Sequence, residues 1–433
     1  MTRFEKPCAQ VDGIEVEHGN LASNIVQTIK LDARSVAGHT EGLPFFVRHA
    51  FSFATRIENG TLLVRLPDGR SFEFGGLRPG PAAEMMINDY DFARRILKGG
   101  DIGVAEAFLR GEWETPNLTI FLRLFCANHH LIAQMLENQP LVRFWQQFKH
   151  WLNRNTKSGS KRNIHAHYDL GNRFYEQWLD PSMTYSSALF DETTRDLAHG
   201  QRNKYAALAR ESRIEQGHSV LEIGCGWGGF AEYAAKEIGC NVTGLTISKE
   251  QFDFAQKRMF EAGLNEKVEI KLLDYRDETG RYDRIASIEM FEAVGQKFWP
   301  VYFKQVSDRL LPGGVAGLQV ITIQDQFFKA YCGEVDFIRR YIFPGGMLPS
   351  PSIMKSLGEK FGLSIQHQRI FGVDYADTLA EWRDRFRAAW PNLTPLGFDE
   401  RFRRMWEYYF AYCEAGFREG NIDVRQIVYS KAG

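Results

Sequence analysis

No stretch of the 433 residues is apolar for long enough to span a bilayer. Neither sign of charge dominates: 53 Lys and Arg stand against 54 Asp and Glu, a formal net charge of −1. No overall field therefore favours nucleic acid or an anionic membrane, and any such attraction must be local. The six cysteines (Cys8, Cys126, Cys225, Cys240, Cys332 and Cys413) are scattered without a C-x-x-C pair, which argues against a disulfide framework and a zinc site. His165 and His167 stand two apart with no further ligand cluster, so no metal is expected. The opening MTRFEKPCAQVDG lacks the apolar core of a signal peptide, and a cytoplasmic location is the default expectation. Repeats and low-complexity tracts are also missing.

What is present is an ordinary globular composition, 44% hydrophobic and 25% charged, in a chain too long for one compact core. Two domains are expected, a smaller α+β domain over residues 1–150 and a larger α/β domain over 164–433. In the first, residues 51–76 alternate in character and carry Asn59-Gly60 and Asp68-Gly69, which predict a small antiparallel sheet. Helices are expected around Asp91–Lys98 and across Thr119–Leu136.

Between the domains, residues 141–163 place Leu141, Phe144, Trp145, Phe148, Trp151 and Leu152 on one helical face, with Arg143, Lys149, His150 and Arg154 elsewhere. The stretch contains no acid. Such a basic amphipathic segment suits a membrane interface or the surface of the next domain. Residues 156–161, TKSGSK, read as the linker. From about Asn163 the pattern turns to βαβα, with strands expected at Ser219–Ile223, Asn241–Ile247, Lys267–Leu273, Tyr282–Ile288 and Val315–Thr322, and a late edge strand at Val424–Tyr429. This is a Rossmann-like doubly wound fold with mainly helical insertions over 324–358 and 376–420.

Residues 220–229, VLEIGCGWGG, place Gly224, Gly226 and Gly229 in a G-x-G-x-x-G pattern between a strand and a helix-like run from Phe230 to Glu237. A dinucleotide site wants an acid on the ribose about 20 residues further on. Here GLTISKEQ (244–251) offers Glu250 only beyond the strand. Instead Glu222 precedes the loop, where a carboxylate suits a cationic sulfonium or ammonium better than a pyrophosphate. Asp274, ending the third strand, can accept from an adenine amino group. Cys225, inside the loop without a neighbouring base, reads as packed. The combination is similar to that of S-adenosylmethionine-dependent methyltransferases.

Longer stretches sharpen the likeness. HYDLGNRFYEQWLDPSMTYSSALF (167–190), YDRIASIEMFEAVG (282–295), YIFPGGMLPS (341–350) and WRDRFRAAWP (382–391) resemble cyclopropane fatty acid synthases over roughly residues 80–430. The resemblance implies methyl transfer from S-adenosylmethionine to the double bond of an unsaturated acyl chain in a membrane phospholipid. It also implies a lipid-engaging N-terminal domain, a homodimer, and a peripheral position on the inner face of the membrane. Cofactor contacts would fall on Tyr185, Ser186, Gly224, Gly226, Ile247, Gln251 and Tyr275, besides Glu222 and Asp274, with Gln251 at the ribose. The family's base is a bicarbonate ion held by five positions. Its Glu, Ile and Tyr match Glu292, Ile321 and Tyr375, whereas its Cys and His positions carry Ser187 and Gln319. Ser and Gln still donate hydrogen bonds to an anion, but neither supplies the charge of a protonated His.

The expected product is a cyclopropane. A methylene- or methyl-branched chain is the alternative, and a lipid-binding relative without catalysis a further one.

Overall fold

The computed structural model describes residues 28–129 and 170–433. The chain divides into two compact units, residues 1–135 and 136–433. The basic segment 141–163, the linker, the domain border expected at 150, and His165 and His167 lie outside the described residues.

The first unit carries a five-stranded sheet in the order β1-β3-β2-β4-β5. Its strands are β1 (Thr28–Leu31), β2 (Asn59–Arg65), β3 (Ser71–Gly75), β4 (Arg78–Ile87) and β5 (Trp113–Glu114). Asp68-Gly69 does turn a hairpin between antiparallel β2 and β3, and Gly69 donates to the Leu66 carbonyl at 3.0 Å. Asn59-Gly60 does not. It opens β2, which runs parallel to β4 across a register shift between Asn59 and Thr61. Gly60 has φ 84 and presses on Pro81, whose carbonyl would lie 2.2 Å from an added Cβ, so its glycine serves a bulge rather than a turn. The sheet is therefore mixed. The helix expected around Asp91–Lys98 runs Asp91–Leu109, broken at Gly100 (φ 57). The next helix is Leu118–Ala127, capped by Asn117, which accepts from the Ile120 N–H at 3.0 Å. Phe51 meets Phe72 and Phe74 with centroids 5.9 and 5.2 Å apart, giving this unit its aromatic core.

The second unit is built on a seven-stranded sheet, order β11-β12-β10-β9-β6-β7-β8. The strands are β6 (Ser219–Ile223), β7 (Asn241–Thr246), β8 (Val268–Leu272), β9 (Tyr282–Ile288), β10 (Leu310–Ile323), β11 (Leu363–Ile370) and β12 (Ile422–Lys431). Strands β6 to β10 are mutually parallel, and β12 runs antiparallel between β10 and β11. The late strand is thus internal. The edge is β11, whose LSIQHQRI carries polar residues at alternate positions and gives little apolar signal. The helix-like run after the loop is an α-turn, Gly229–Tyr233, continued as a wider π-turn, Ala234–Ile238.

Period-two alternation sorts the strand residues between two cores. Leu221, Ile223, Ile285, Leu318, Val320, Ile427 and Tyr429 join the cluster that includes Trp299, Tyr302 and Phe303. Val220 and Ala286 join the cluster of Tyr205 and Leu208, from the helix Leu197–Glu211. Glu222, Gln319 and Gln426 share the second parity on their strands, so a polar layer is laid against that helix. Strand order reverses between β6 and β9. The crevice beyond the carboxyl ends of these two strands is the expected ligand site of a doubly wound sheet. The helical insertions end in the pair Gly372–Leu393 and Glu400–Arg418, clamped by Arg383–Glu414 and Arg418–Asp377 ion pairs.

Candidate active site

The loop after β6 begins with backbone only glycine adopts readily, φ 82 at Gly224 and φ 53 at Gly226. An added Cβ on Gly224 would come 2.6 Å from the Met290 side chain, so this loop packs directly on the segment following β9. At Gly226 an added Cβ meets nothing within 4 Å, which leaves an open cradle at the strand end. Glu222 lies just before it, buried, with Oε2 lacking any hydrogen-bond partner. Burial pushes its carboxyl up to about 8, against the pull of Lys204 and the Ala231 N–H. An orphaned buried carboxylate oxygen beside an open glycine cradle fits a cationic ligand, as S-adenosylmethionine is. Gln251, at the start of the helix Lys249–Glu261, accepts from the Thr246 hydroxyl at 2.9 Å and keeps its amide nitrogen as a donor. Ile247 is half-buried between the two. Asp274 is held by Arg276 in a two-pronged pair at 2.8 and 2.6 Å, so an adenine amino group would meet a carboxylate already neutralised. The half-buried Tyr275 follows it, its ring 5.4 Å from that of Tyr302.

Beyond β9 the chain turns through Glu289 at φ 50, a conformation that costs a non-glycine residue energy. The Glu289 N–H donates to the Gln319 carbonyl at 2.8 Å. Three donors converge on the Glu289 carboxylate: the Ser187 N–H and the Gln319 amide at 2.8 Å each, and the Tyr375 hydroxyl at 2.7 Å. Gln319 is oriented in turn by Gln426, whose amide donates to the Gln319 Oε1 at 3.1 Å. Three residues on, Glu292 accepts from the Ile321 N–H at 2.5 Å, and its Oε2 is buried without a partner. Burial, and then the neighbouring charge of Glu289, push the Glu292 carboxyl up to about 8. Glu289 is also raised by burial, but Lys204 and the three donors oppose the shift. These donors all favour the ionised form, so Glu289 is the carboxylate left free to take up a proton and Glu292 the one pushed toward holding its own.

Aromatic rings wall the site. The Tyr185 hydroxyl donates to that of Tyr409 at 2.9 Å, and its ring lies 5.2 Å from Trp382 and 5.7 Å from Trp178. Such faces exclude water and attract cations through their quadrupoles.

The mycolic acid cyclopropane synthetase family model matches residues 155–427. The chain belongs to this family. The tuberculostearic acid methyltransferase UfaA1 of Mycobacterium tuberculosis is 39% identical over 351 residues, covering 79% of this chain and 81% of that one. The cyclopropane-fatty-acyl-phospholipid synthase of Escherichia coli K12 is 36% identical over 354 residues, covering 81% and 88%. Among solved structures, mycolic acid cyclopropane synthase CmaA1, complexed with SAH and CTAB, superposes with a TM-score of 0.59 at 29% identity, covering 63% of this chain and 98% of that one. The protein is an S-adenosylmethionine-dependent methyltransferase with the Rossmann-like fold of its family, acting in lipid modification. No described helix is long and apolar enough to cross a membrane.

Within this candidate site, the residues that the family resemblance assigns to one anion divide between two carboxylates. Ser187, Gln319 and Tyr375 bond to Glu289, while Ile321 bonds to Glu292. Ser187 contributes its N–H. Its hydroxyl turns away to donate to the Ala188 carbonyl at 2.8 Å. Ser186 accepts from the Lys204 ammonium at 2.6 Å. Glu289, Lys204 and Gln426 are thus central to the geometry, yet sequence reasoning passed over all three. Two signals point to Glu289 and Lys204. Glu289 places a second acid three residues before Glu292, although its φ of 50 puts it outside the 3₁₀ turn Phe291–Ala293. Lys204 falls on the buried stripe of its helix with Leu197, Gly200, Gln201, Tyr205 and Leu208.

Proposed function

We infer that the enzyme methylates the double bond of an unsaturated acyl chain carried by a membrane phospholipid, and that its own Glu289 is the base. The observation that carries this reading is the convergence of Ser187, Gln319 and Tyr375 on the Glu289 carboxylate. These are three of the positions the family uses around bicarbonate. A resident carboxylate there makes a separate anion unnecessary.

S-adenosylmethionine supplies, when bound, an activated methyl on a sulfonium. Glu222 attracts its positive charge, Gly224 and Gly226 let the backbone approach, and Gln251 offers an amide donor. An alkene is a poor nucleophile, so chain and methyl must be held close and in line. The alkene π pair would form the new carbon–carbon bond to the methyl, the S–CH3 pair would stay with the departing thioether sulfur, and a carbocation would be left on the acyl chain. The rings of Tyr185, Trp178 and Trp382 keep water from quenching it. Glu289 then takes a proton from the cation, whose C–H pair becomes a new bond, and charge is balanced. We infer a methyl- or methylene-branched chain that keeps a double bond.

Ring closure is the second reading. The E. coli relative is named for it, and the retained Glu292–Ile321 contact favours it. Parallel incubations of unsaturated phospholipid, one with unlabelled donor for proton NMR and one with a trideuterated methyl donor for mass spectrometry of the fatty acids, separate the two. Vinyl signals with no ring methylene support the branched chain; an upfield ring signal overturns it. All three deuteria survive if the proton leaves the chain, and one is lost if it leaves the methyl.

A further inference from the structure

Lys204 has no part in the chemistry described so far, yet it is the charged side chain most deeply set in the site. It is fully buried on the helix Leu197–Glu211. Its ammonium donates to the Ser186 hydroxyl at 2.6 Å and lies 4.6 Å from the Tyr205 ring centroid. Ser186 is further held by Gln201, which donates to its carbonyl at 2.9 Å. The Lys204 backbone carbonyl accepts from Gln426 at 3.1 Å, and the same amide orients Gln319 toward Glu289. The charges facing the ammonium are Glu289 from the β9 end, Asp180 from the 180–184 turn and Glu222 from β6. Asp180 is already satisfied by the N–H groups of Ser182 and Thr184. Glu222 precedes the glycine loop, and Glu289 is the carboxylate assigned above as the base.

Taking an ammonium out of water costs several kcal/mol unless nearby charge offsets it. Burial accordingly pulls Lys204 down from its ordinary value, while the three carboxylates pull it back up. The same field acts on them in reverse, favouring their ionised forms. Resting on the assignment of Glu289 as base, we propose that Lys204 is a positioning residue: its ammonium, fixed on Ser186, is the interior cation shared by the cofactor-side carboxylate Glu222 and the base Glu289, and it favours the ionised form of each.

The test compares Lys204→Met and Lys204→Arg with the wild type. In Lys204→Met the acid limb of the kcat profile and the midpoint of pH-dependent S-adenosylmethionine binding should both move up by about one pH unit. Affinity should then fall roughly tenfold at pH values below both midpoints. Lys204→Arg should keep both midpoints near those of the wild type. A thermal-melt cycle with Glu222→Gln adds a readout independent of catalysis. The loss on Lys204→Met should be smaller when Glu222 is already Gln, and if the single variant fails to fold the double variant should fold. Unshifted midpoints with additive losses, or a double variant that also fails to fold, overturn the proposal. A fully active Glu289→Gln enzyme would remove the base assignment alone, because the binding midpoint and the melt cycle report on Glu222.

Discussion

The Tyr375 hydroxyl donates to Glu289 Oε2 at 2.7 Å, tying the C-terminal helix pair to the end of strand β9. Tyr375 is fixed from behind by stacking on Phe417, centroids 4.6 Å apart. Removing the hydroxyl leaves the carboxylate with one donor fewer. A hydrogen bond to a charged group is worth about 1.5–3 kcal/mol, or one to two pK units. Tyr375→Phe should therefore move the acid limb of the kcat profile upward by about that much and leave cofactor affinity unchanged. A pH–rate profile with calorimetric titration checks both.

Glu289→Gln keeps the shape but not the basicity. Product formation should fall by about 10²–10⁴-fold, the usual range for a general base, with S-adenosylmethionine binding near that of the wild type. Single-turnover kinetics with labelled donor give the first quantity and calorimetry the second. A loss confined to KM would point instead to a substrate contact.

Cofactor affinity should depend on pH through Glu222. Its carboxyl sits at about 8 without ligand, and a cationic ligand favours the ionised form. Binding then expels a proton between the lower value of the liganded state and about 8, so affinity rises with pH across that window and levels off above about 8. In Glu222→Gln the rise should be absent and affinity low throughout. Stability runs the other way. Between the unfolded value near 4.3 and about 8, the folded apoprotein holds a proton that the unfolded chain has released, so stability falls as pH rises. Glu292 acts in the same direction, so Glu222→Gln should flatten the fall without abolishing it. Titration calorimetry and thermal melts from pH 5 to pH 9 check these signs.

The two loop glycines should separate fold from binding. Gly224→Ala meets both a positive φ and Met290, and should cost more than the ~1 kcal/mol that a left-handed alanine alone requires. Gly226→Ala meets open space, and should cost about that ~1 kcal/mol while weakening cofactor binding by filling the cradle. Melting temperature and binding affinity of the two variants give the comparison.

The parallel strands and the glycine loop were legible because they rest on local signals: apolar runs, turn glycines, and an acid just ahead of the loop. The internal place of β12 and the existence of β11 were not, because sheet order depends on pairing between distant strands, and β11 is polar at every second residue. In the candidate site, the expected residues were read from motifs. Which carboxylate the donors serve was not, since Glu289 and Glu292 lie in one short stretch and only the backbone turn at φ 50 aims Glu289 at Ser187, Gln319 and Tyr375. Lys204 was hidden for a simpler reason. A lysine in a helix reads as solvent-facing until its neighbours at i−3, i−4 and i+4 are seen to be buried.

Glu289→Gly separates a protein-borne base from a bound anion. Glycine suits φ 50, so the backbone should tolerate the change. It leaves the Ser187 N–H, the Gln319 amide and the Tyr375 hydroxyl around an empty anion position. The measurement is the rate of methylated fatty acid formation with and without added bicarbonate, for this variant and the wild type. With Glu289 as the base, the wild type should be indifferent to bicarbonate, and the variant should be nearly inactive in bicarbonate-depleted buffer and regain activity as the ion is added. A variant that works at the wild-type rate without bicarbonate, or a wild type that stops when bicarbonate is removed, would contradict that assignment.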